Sequence, residues 1–264
     1  MLRLFLSLLL IQISNILYAQ EILHLRVDSQ NLDSERDVWI FLPAAYASNI
    51  SYPVLYMHDG QNLYWDSLAF AGTWNMESQL SKLNKENINL IIVAIANGGE
   101  KRMEELSWFT NPKYPSGKGN KYLAFIVEEL MPLINTAYNI DQENVGIMGS
   151  SLGGLISLQA MAAYPDIFKK GAIFSPALWF NPETMDKAFL STINFNSKIY
   201  MISGAKEVMG NINFPKDQMK TQLILSDIIS SNNIYTEIHP DGEHKEWYWA
   251  REFMGAVEFL FNGD

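Results

Sequence analysis

Short apolar runs recur along the chain, separated by longer segments whose apolar positions return at helical spacing. Residues 21–27 alternate in the strand manner, and residues 36–43 form a second strand closed by Pro43. The turn-like Asn31-Leu32-Asp33-Ser34 between them makes these two an antiparallel pair. Residues 53–58 run as a third strand into Asp59-Gly60-Gln61-Asn62. Residues 90–95 are continuous and β-branched, as expected of a strand covered on both faces. Helical spacing covers residues 75–85 and 119–138; the second of these has Phe125, Val127, Leu130, Leu133 and Ile134 as its apolar set and Pro132 placed to kink or end it. Farther on, residues 171–175, 198–203 and 234–239 read as strands, and residues 216–232 and 246–261 as helices. This alternation predicts an α/β fold with a mostly parallel central sheet of about eight strands and helices on both faces.

One segment concentrates chemistry. Val145-Gly146-Ile147-Met148 leads as a strand into Gly149-Ser150-Ser151-Leu152-Gly153-Gly154, and residues 155–163 continue as a helix without a breaker. Gly149-Ser150-Ser151-Leu152-Gly153 fits G-x-S-x-G, the nucleophile elbow of α/β-hydrolases, in which a serine on a sharp turn lifts its hydroxyl clear of the sheet. Ser151 is the candidate nucleophile and Ser150 the filler position. The amide of Leu152, at the start of the helix, is free for an oxyanion.

A serine nucleophile at neutral pH needs a base, and the chain holds four histidines. His24 and His58 precede Ser151, whereas the order in α/β-hydrolases is serine, acid, histidine. Of the other two, His239 ends a strand and packs there, while His244 lies in the loop that follows, at the sheet edge where open α/β folds meet ligands. His244 is therefore the candidate base. The acid is expected after the preceding strand, where Gly204-Ala205-Lys206-Glu207 places Glu207; Asp217, Asp227 and Asp241 are its rivals. A second oxyanion donor is expected from the loop after residue 58, with Gly60 turning the backbone and the Gln61 amide facing the substrate.

Composition narrows the field. The chain has 264 residues, 48% of them hydrophobic, enough for one large core. Met1-Leu2-Arg3, the apolar run of residues 4–13 and the approach to Ala19 have the form of a secretory signal peptide, with cleavage near Ala19 and a single catalytic domain over residues 20–264. The apolar run is shorter than a membrane span needs, which disfavours a stable anchor. Localisation is accordingly expected to be periplasmic or extracellular. Losing residues 1–19 removes only Arg3 from the charged set and leaves 18 basic against 29 acidic side chains, about −11. That balance disfavours nucleic acid and anionic membranes as partners. The absence of cysteine removes disulfides, thiolate metal sites and cysteine nucleophiles; no metal and no cofactor are expected. Nothing in the sequence signals an oligomeric state.

The chain resembles the putative esterase family of α/β-hydrolases, which contains feruloyl esterases, enterochelin-type siderophore esterases, esterase D and the mycolyltransferases. The resemblance runs over most of the chain after residue 19: residues 36–43, His58-Asp59-Gly60-Gln61-Asn62-Leu63, Asn97-Gly98-Gly99 with Arg102 and Glu105, Glu128-Glu129-Leu130-Met131-Pro132, the elbow, and Ser175-Pro176-Ala177-Leu178-Trp179. It implies a hydrolase of acyl esters, with Ser151 on the family serine, Gly204-Ala205-Lys206-Glu207 on its Gly-x-x-Glu and His244 on its Gly-x-His. Two departures stand out: Gly242-Glu243-His244 replaces the usual Gly-Gly-His, and Glu105-Leu106 the usual Glu-Tyr. Trp74, Trp108, Trp179 and Trp247 fall in or near the loops of the expected site edge, where Trp74, Trp179 and Trp247 are expected to form a platform for a sugar or phenolic group of the ester substrate. Two other functions are compatible with the same elements: an acyltransferase, in which an alcohol replaces water, and a binding module with an inactive site.

Overall fold

The computed structural model describes residues 22–44, 46–63 and 72–262; the expected signal peptide, residues 1–19, lies outside them. The strands are β1 (Ile22–Ser29), β2 (Ser34–Phe41), β3 (Tyr52–Met57), β4 (Ile91–Ile95), β5 (Ile140–Ser150), β6 (Lys170–Phe174), β7 (Lys198–Gly204), β8 (Val208–Met209), β9 (Ile212–Asn213) and β10 (Ile234–His239). The helices are α1 (Met76–Lys85), α2 (Arg102–Glu105), α3 (Gly119–Ala124), α4 (Met131–Ala137), α5 (Leu152–Ala163), α6 (Lys187–Leu190), α7 (Phe214–Ser226) and α8 (Glu246–Phe261). Eight of the strands form one sheet in the order β1-β2-β4-β3-β5-β6-β7-β10, and β8 and β9 form a small separate hairpin. This is the expected eight-stranded α/β-hydrolase architecture.

The sheet is parallel from β4 onward, while β2 runs antiparallel to both β1 and β4. β1 and β2 pair over their whole length, Ser29 opposite Ser34, around the anticipated turn. All five residues of β4 and all five of β6 are buried, in keeping with cover on both faces. One core joins the sheet to α5 and to the helix running from α3 to α4; the other joins it to α1 and α8, with Leu80, Leu83, Phe253, Val257 and Leu260 among its members. Nearly all of α5 is buried, which is why its sequence shows no polar face.

Two helices differ from expectation. Pro132 does not end the helix of residues 119–137. A π-helical turn at Phe125–Leu130 precedes it, and Pro132 falls in the first turn of α4, where its missing N–H and its ring are tolerated. The helix expected at residues 216–232 begins earlier and ends earlier, at Phe214–Ser226. Asn213 caps it by accepting from the Lys216 amide at 2.9 Å, and Pro215 sits at the second helical position. Among the described residues no helix is long and apolar enough to cross a membrane.

Candidate active site

Strands β3, β5, β6, β7 and β10 are consecutive and parallel in the sheet, so their C-terminal ends share one edge. Each sends one short loop or turn to that edge, and these carry Asp59 and Gln61, Ser151, Ser175, Glu207 and His244 in turn. Crossing the sheet therefore brings together residues that are far apart in the chain.

Ser151 sits between β5 and α5 at φ 58°, ψ −118°, a backbone conformation that L-residues rarely adopt. The turn is possible because Gly149 and Gly153 face each other: a Cβ on Gly149 would lie 2.5 Å from the Gly153 carbonyl carbon. The Ser151 hydroxyl lies 2.9 Å from Nε2 of His244. On the other side of the ring, Nδ1 of His244 is 3.6 Å from Oε2 of Glu207, and neither atom has another partner. Glu207 is only 1% exposed; its Oε1 accepts from the Ser175 hydroxyl at 2.7 Å. The approach of the two loops depends on glycine, because a Cβ on Gly204 would meet the Gly242 carbonyl oxygen at 2.1 Å. The Lys206 amide donates to that same Gly242 oxygen at 3.2 Å. The structure thus brings Ser151, His244 and Glu207 together. Of the other carboxylates, Asp227 pairs with Lys187 and Asp241 with Arg251, while Asp217 lies on α7.

The loop after β3 supplies the opposite wall. It was expected to turn at Gly60, but the left-handed residue is Asp59, at φ 55°. Gly60 serves a different need: its Cβ would lie 2.8 Å from the backbone of Ala94 on β4. Gln61 and Leu152 occupy the first turns of a 3-10 helix and of α5, positions whose amides have no partner within their own helix. The Gln61 side chain accepts from the Asn97 amide at 3.2 Å and so ties this loop to the one after β4.

A cleft of about 580 Å³ opens over these groups, lined among others by Asp59, Asn62, Arg102, Ser151, Glu246 and Trp249. Arg102 grips Asp59 with two bonds, Nε to Oδ1 and Nη2 to Oδ2, both at 2.7 Å, and Asn97 donates to Oδ1 as well. Burial alone would raise the Asp59 pKa, but the Arg102 guanidinium beside it outweighs burial and holds the carboxyl below its usual range. Glu246 behaves the opposite way, burial raising it above the usual carboxylate value. A partly buried ion pair and a reluctant carboxylate thus line the cleft. Together with a hydroxyl bonded to an imidazole and a carboxylate behind the ring, the arrangement can move a proton off an attacking oxygen and steady the charge that develops.

The model of the family described as "Putative esterase" matches residues 29–260. The chain belongs to that family. Membership supports ester hydrolysis as its chemistry. Among curated relatives of this esterase, the uncharacterized protein YbbA of Bacillus subtilis is 23% identical over 247 residues, covering 88% of this chain and 95% of that one. The ferri-bacillibactin esterase BesA of the same organism is 27% identical over 194 residues, covering 65% of each chain. A solved structure, the BES protein from Bacillus cereus, superposes with a TM-score of 0.74 at 18% identity, covering 91% of this chain and 96% of that one; this likeness concerns the fold.

The expected aromatic platform is not assembled in this esterase. Trp74 is 3% exposed and stacks on Phe174 at 5.6 Å within the core, so it offers no face to a ligand. Trp247 lies on the outer side of α8 under the Arg251 guanidinium. Trp179 lines a separate groove with Tyr114 and Phe180, and Trp108 packs against the core below. The tryptophan at the cleft is Trp249, two residues after Trp247 and so on the opposite side of α8, its ring edge-on to His244 at 5.0 Å. Sequence reasoning also missed Ser175 and the pairing of Asp59 with Arg102. For Ser175 a signal was present, a serine directly after a buried strand and before Pro176 on the site edge. No spacing rule pairs Asp59 with Arg102.

Proposed function

We propose that this chain is a secreted or periplasmic serine esterase acting on carboxylic esters through an acyl-enzyme. Ser151 Oγ attacks the ester carbonyl carbon while its proton passes to Nε2 of His244. The tetrahedral oxyanion is held by the amides of Gln61 and Leu152. His244 returns the proton to the departing alkoxide, and the C–O bond to the alcohol breaks. Water then repeats the sequence on the acyl-enzyme, releasing the acid and restoring Ser151. Glu207, behind the imidazole, keeps Nδ1 protonated and balances the positive ring.

The observation that carries this reading is the 2.9 Å contact of Ser151 Oγ with His244 Nε2 on a backbone held at φ 58°. The polar wall formed by Arg102, Asp59 and Glu246 supports substrates with polar groups near the scissile bond, which suits carbohydrate-linked, phenolic or siderophore-type esters. The test is labelling by a fluorophosphonate probe with mapping of the modified residue, alongside turnover of aryl acetate, feruloyl, acetyl-sugar and catechol esters. Modification at Ser151 and at no other residue is expected. No labelling, or labelling that survives Ser151→Ala, refutes the mechanism. Export is tested separately by the N-terminus of the mature protein, expected just after Ala19.

A further inference from the structure

Ser175 follows β6 at φ 43°, a left-handed conformation in which glycine would be relaxed and serine is not. Its backbone is tied by the Ser175 amide donating to the Ile202 carbonyl on β7 at 2.7 Å, and its side chain is fully buried. The hydroxyl touches two groups: the indole Nε1–H of Trp249 donates to it at 2.9 Å, and it lies 2.7 Å from Oε1 of Glu207. An indole N–H can only donate, so the serine oxygen must accept from it. The one serine proton is then left for Glu207, which as a carboxylate can only accept. With Oε1 held in this way, the remaining oxygen, Oε2, faces His244 Nδ1.

We propose that Ser175 and Trp249 are positioning residues for the triad acid, a relay in which the indole fixes the serine hydroxyl and the hydroxyl fixes the Glu207 carboxylate against His244. The relay rests on the serine-esterase reading above. It explains why a position suited to glycine holds a buried serine: the hydroxyl, not the backbone, is what the site needs. It also gives Trp249 two parts at once, since its ring edge closes one side of His244 while Phe214 lies against the ring at 4.5 Å.

Ser175→Gly removes the hydroxyl and relaxes the backbone, so stability and catalysis are expected to part. The melting temperature should fall only modestly, because the relaxed backbone offsets part of the cost of leaving the Trp249 N–H and Glu207 Oε1 without this partner; KM for an aryl acetate should stay put, and kcat should drop about 10- to 100-fold, the range for losing a hydrogen bond to a charged group. In a Glu207→Gln background, Ser175→Gly should cost nothing further, because the residue it positions is already disabled. Trp249→Phe should lower kcat by a smaller factor and likewise add nothing to Ser175→Gly. A folded Ser175→Gly with wild-type kcat overturns the relay, and so does a full independent loss in the Glu207→Gln background. Should Ser175→Gly fail to fold, Trp249→Phe decides: wild-type kcat there overturns the relay, and a kcat loss absent in the Glu207→Gln background upholds it. Fluorophosphonate labelling of the wild type separates the two levels, since labelled Ser151 with an inert Ser175 removes only the relay, and no labelling removes the reading beneath it.

Discussion

His58 gives the protein an acid sensitivity that can be worked from its surroundings. It is 3% exposed at the end of β3, its Nδ1 lies 2.8 Å from the Tyr122 hydroxyl, and its Nε2 is buried with no partner. Burial lowers its pKa from 6.5 to about 4, with Arg102 adding to the effect and Asp59 opposing it. The unfolded chain therefore takes up a proton at this residue before the folded one does, and stability is lost as pH falls from about 6.5 toward 4. The gap is equivalent to about 3 kcal/mol in full, of which about 2 kcal/mol is lost by pH 5. Glu246, whose folded value is raised, acts with the opposite sign, and Asp59, whose folded value is lowered, weakens the fold only below the normal carboxylate range. Both persist when His58 is replaced, so comparison with a variant isolates the histidine. His58→Gln keeps an amide for Tyr122 and cannot titrate. Urea unfolding followed by tryptophan fluorescence at about pH 7.5 and about pH 5 should show the wild type losing about 2 kcal/mol more than the variant between the two. Equal losses would mean that the imidazole is already charged or reached by water, and would remove the argument.

Ser151→Ala should abolish turnover of an activated ester with folding intact, while Ser150→Ala keeps most activity; equal loss in both would displace the nucleophile. Glu207→Gln should cost on the order of 10²- to 10⁴-fold in kcat, read by steady-state kinetics, because an amide can favour the wrong imidazole tautomer. Asp217→Asn, Asp227→Asn and Asp241→Asn should each stay within a fewfold of wild type, and one of them matching Ser151→Ala would move the acid. Dialysis against a chelator should leave the rate unchanged, since among the described residues no cluster of three His, Asp or Glu side chains is arranged for a metal; a loss restored by zinc or calcium would contradict this.

Much of this site was legible because the parallel sheet converts chain order into position. Once β5, β7 and β10 are recognised by their apolar runs, the ends of all three must lie on one edge, and Ser151, Glu207 and His244 follow from which polar residues come next. Aromatic residues were not legible in that way. A tryptophan near the edge can turn into the core, as Trp74 does, or away from the cleft, as Trp247 does, and the choice is made by helix phase and neighbouring volume rather than by proximity in sequence. The Asp59–Arg102 pair was hidden for another reason: the partners are separated by 43 positions, and they meet because the loops after β3 and β4 lie side by side. The start of α7 could have been read, since Asn213 and Pro215 are ordinary start signals.

Backbone strain gathers on three neighbouring strand ends and separates structural from chemical roles. Asp59, Ser151 and Ser175 follow β3, β5 and β6, consecutive strands of the sheet, with φ of 55°, 58° and 43°. Residues in such regions cost about 1–3 kcal/mol each and persist only where the surroundings over-determine them. At Asp59 the side chain takes part in the holding, through Arg102 and Asn97; at Ser175 the side chain, between Trp249 and Glu207, adds to the amide bond to Ile202. At Ser151 the backbone does it instead: its amide donates to the Phe174 carbonyl at 2.9 Å, and its carbonyl accepts from the amides of Leu155 and Ala177, each at 3.0 Å. The Ser151 hydroxyl is thereby released from any structural bond, and its contact with His244 is left to chemistry. This is the physical distinction among Ser150, Ser151 and Ser175, three of the serines at this edge. Ser150 is the filler within β5 and Ser175 is tied on both sides of its oxygen, so Ser151 alone of the three combines a fixed position with a hydroxyl free to lose its proton.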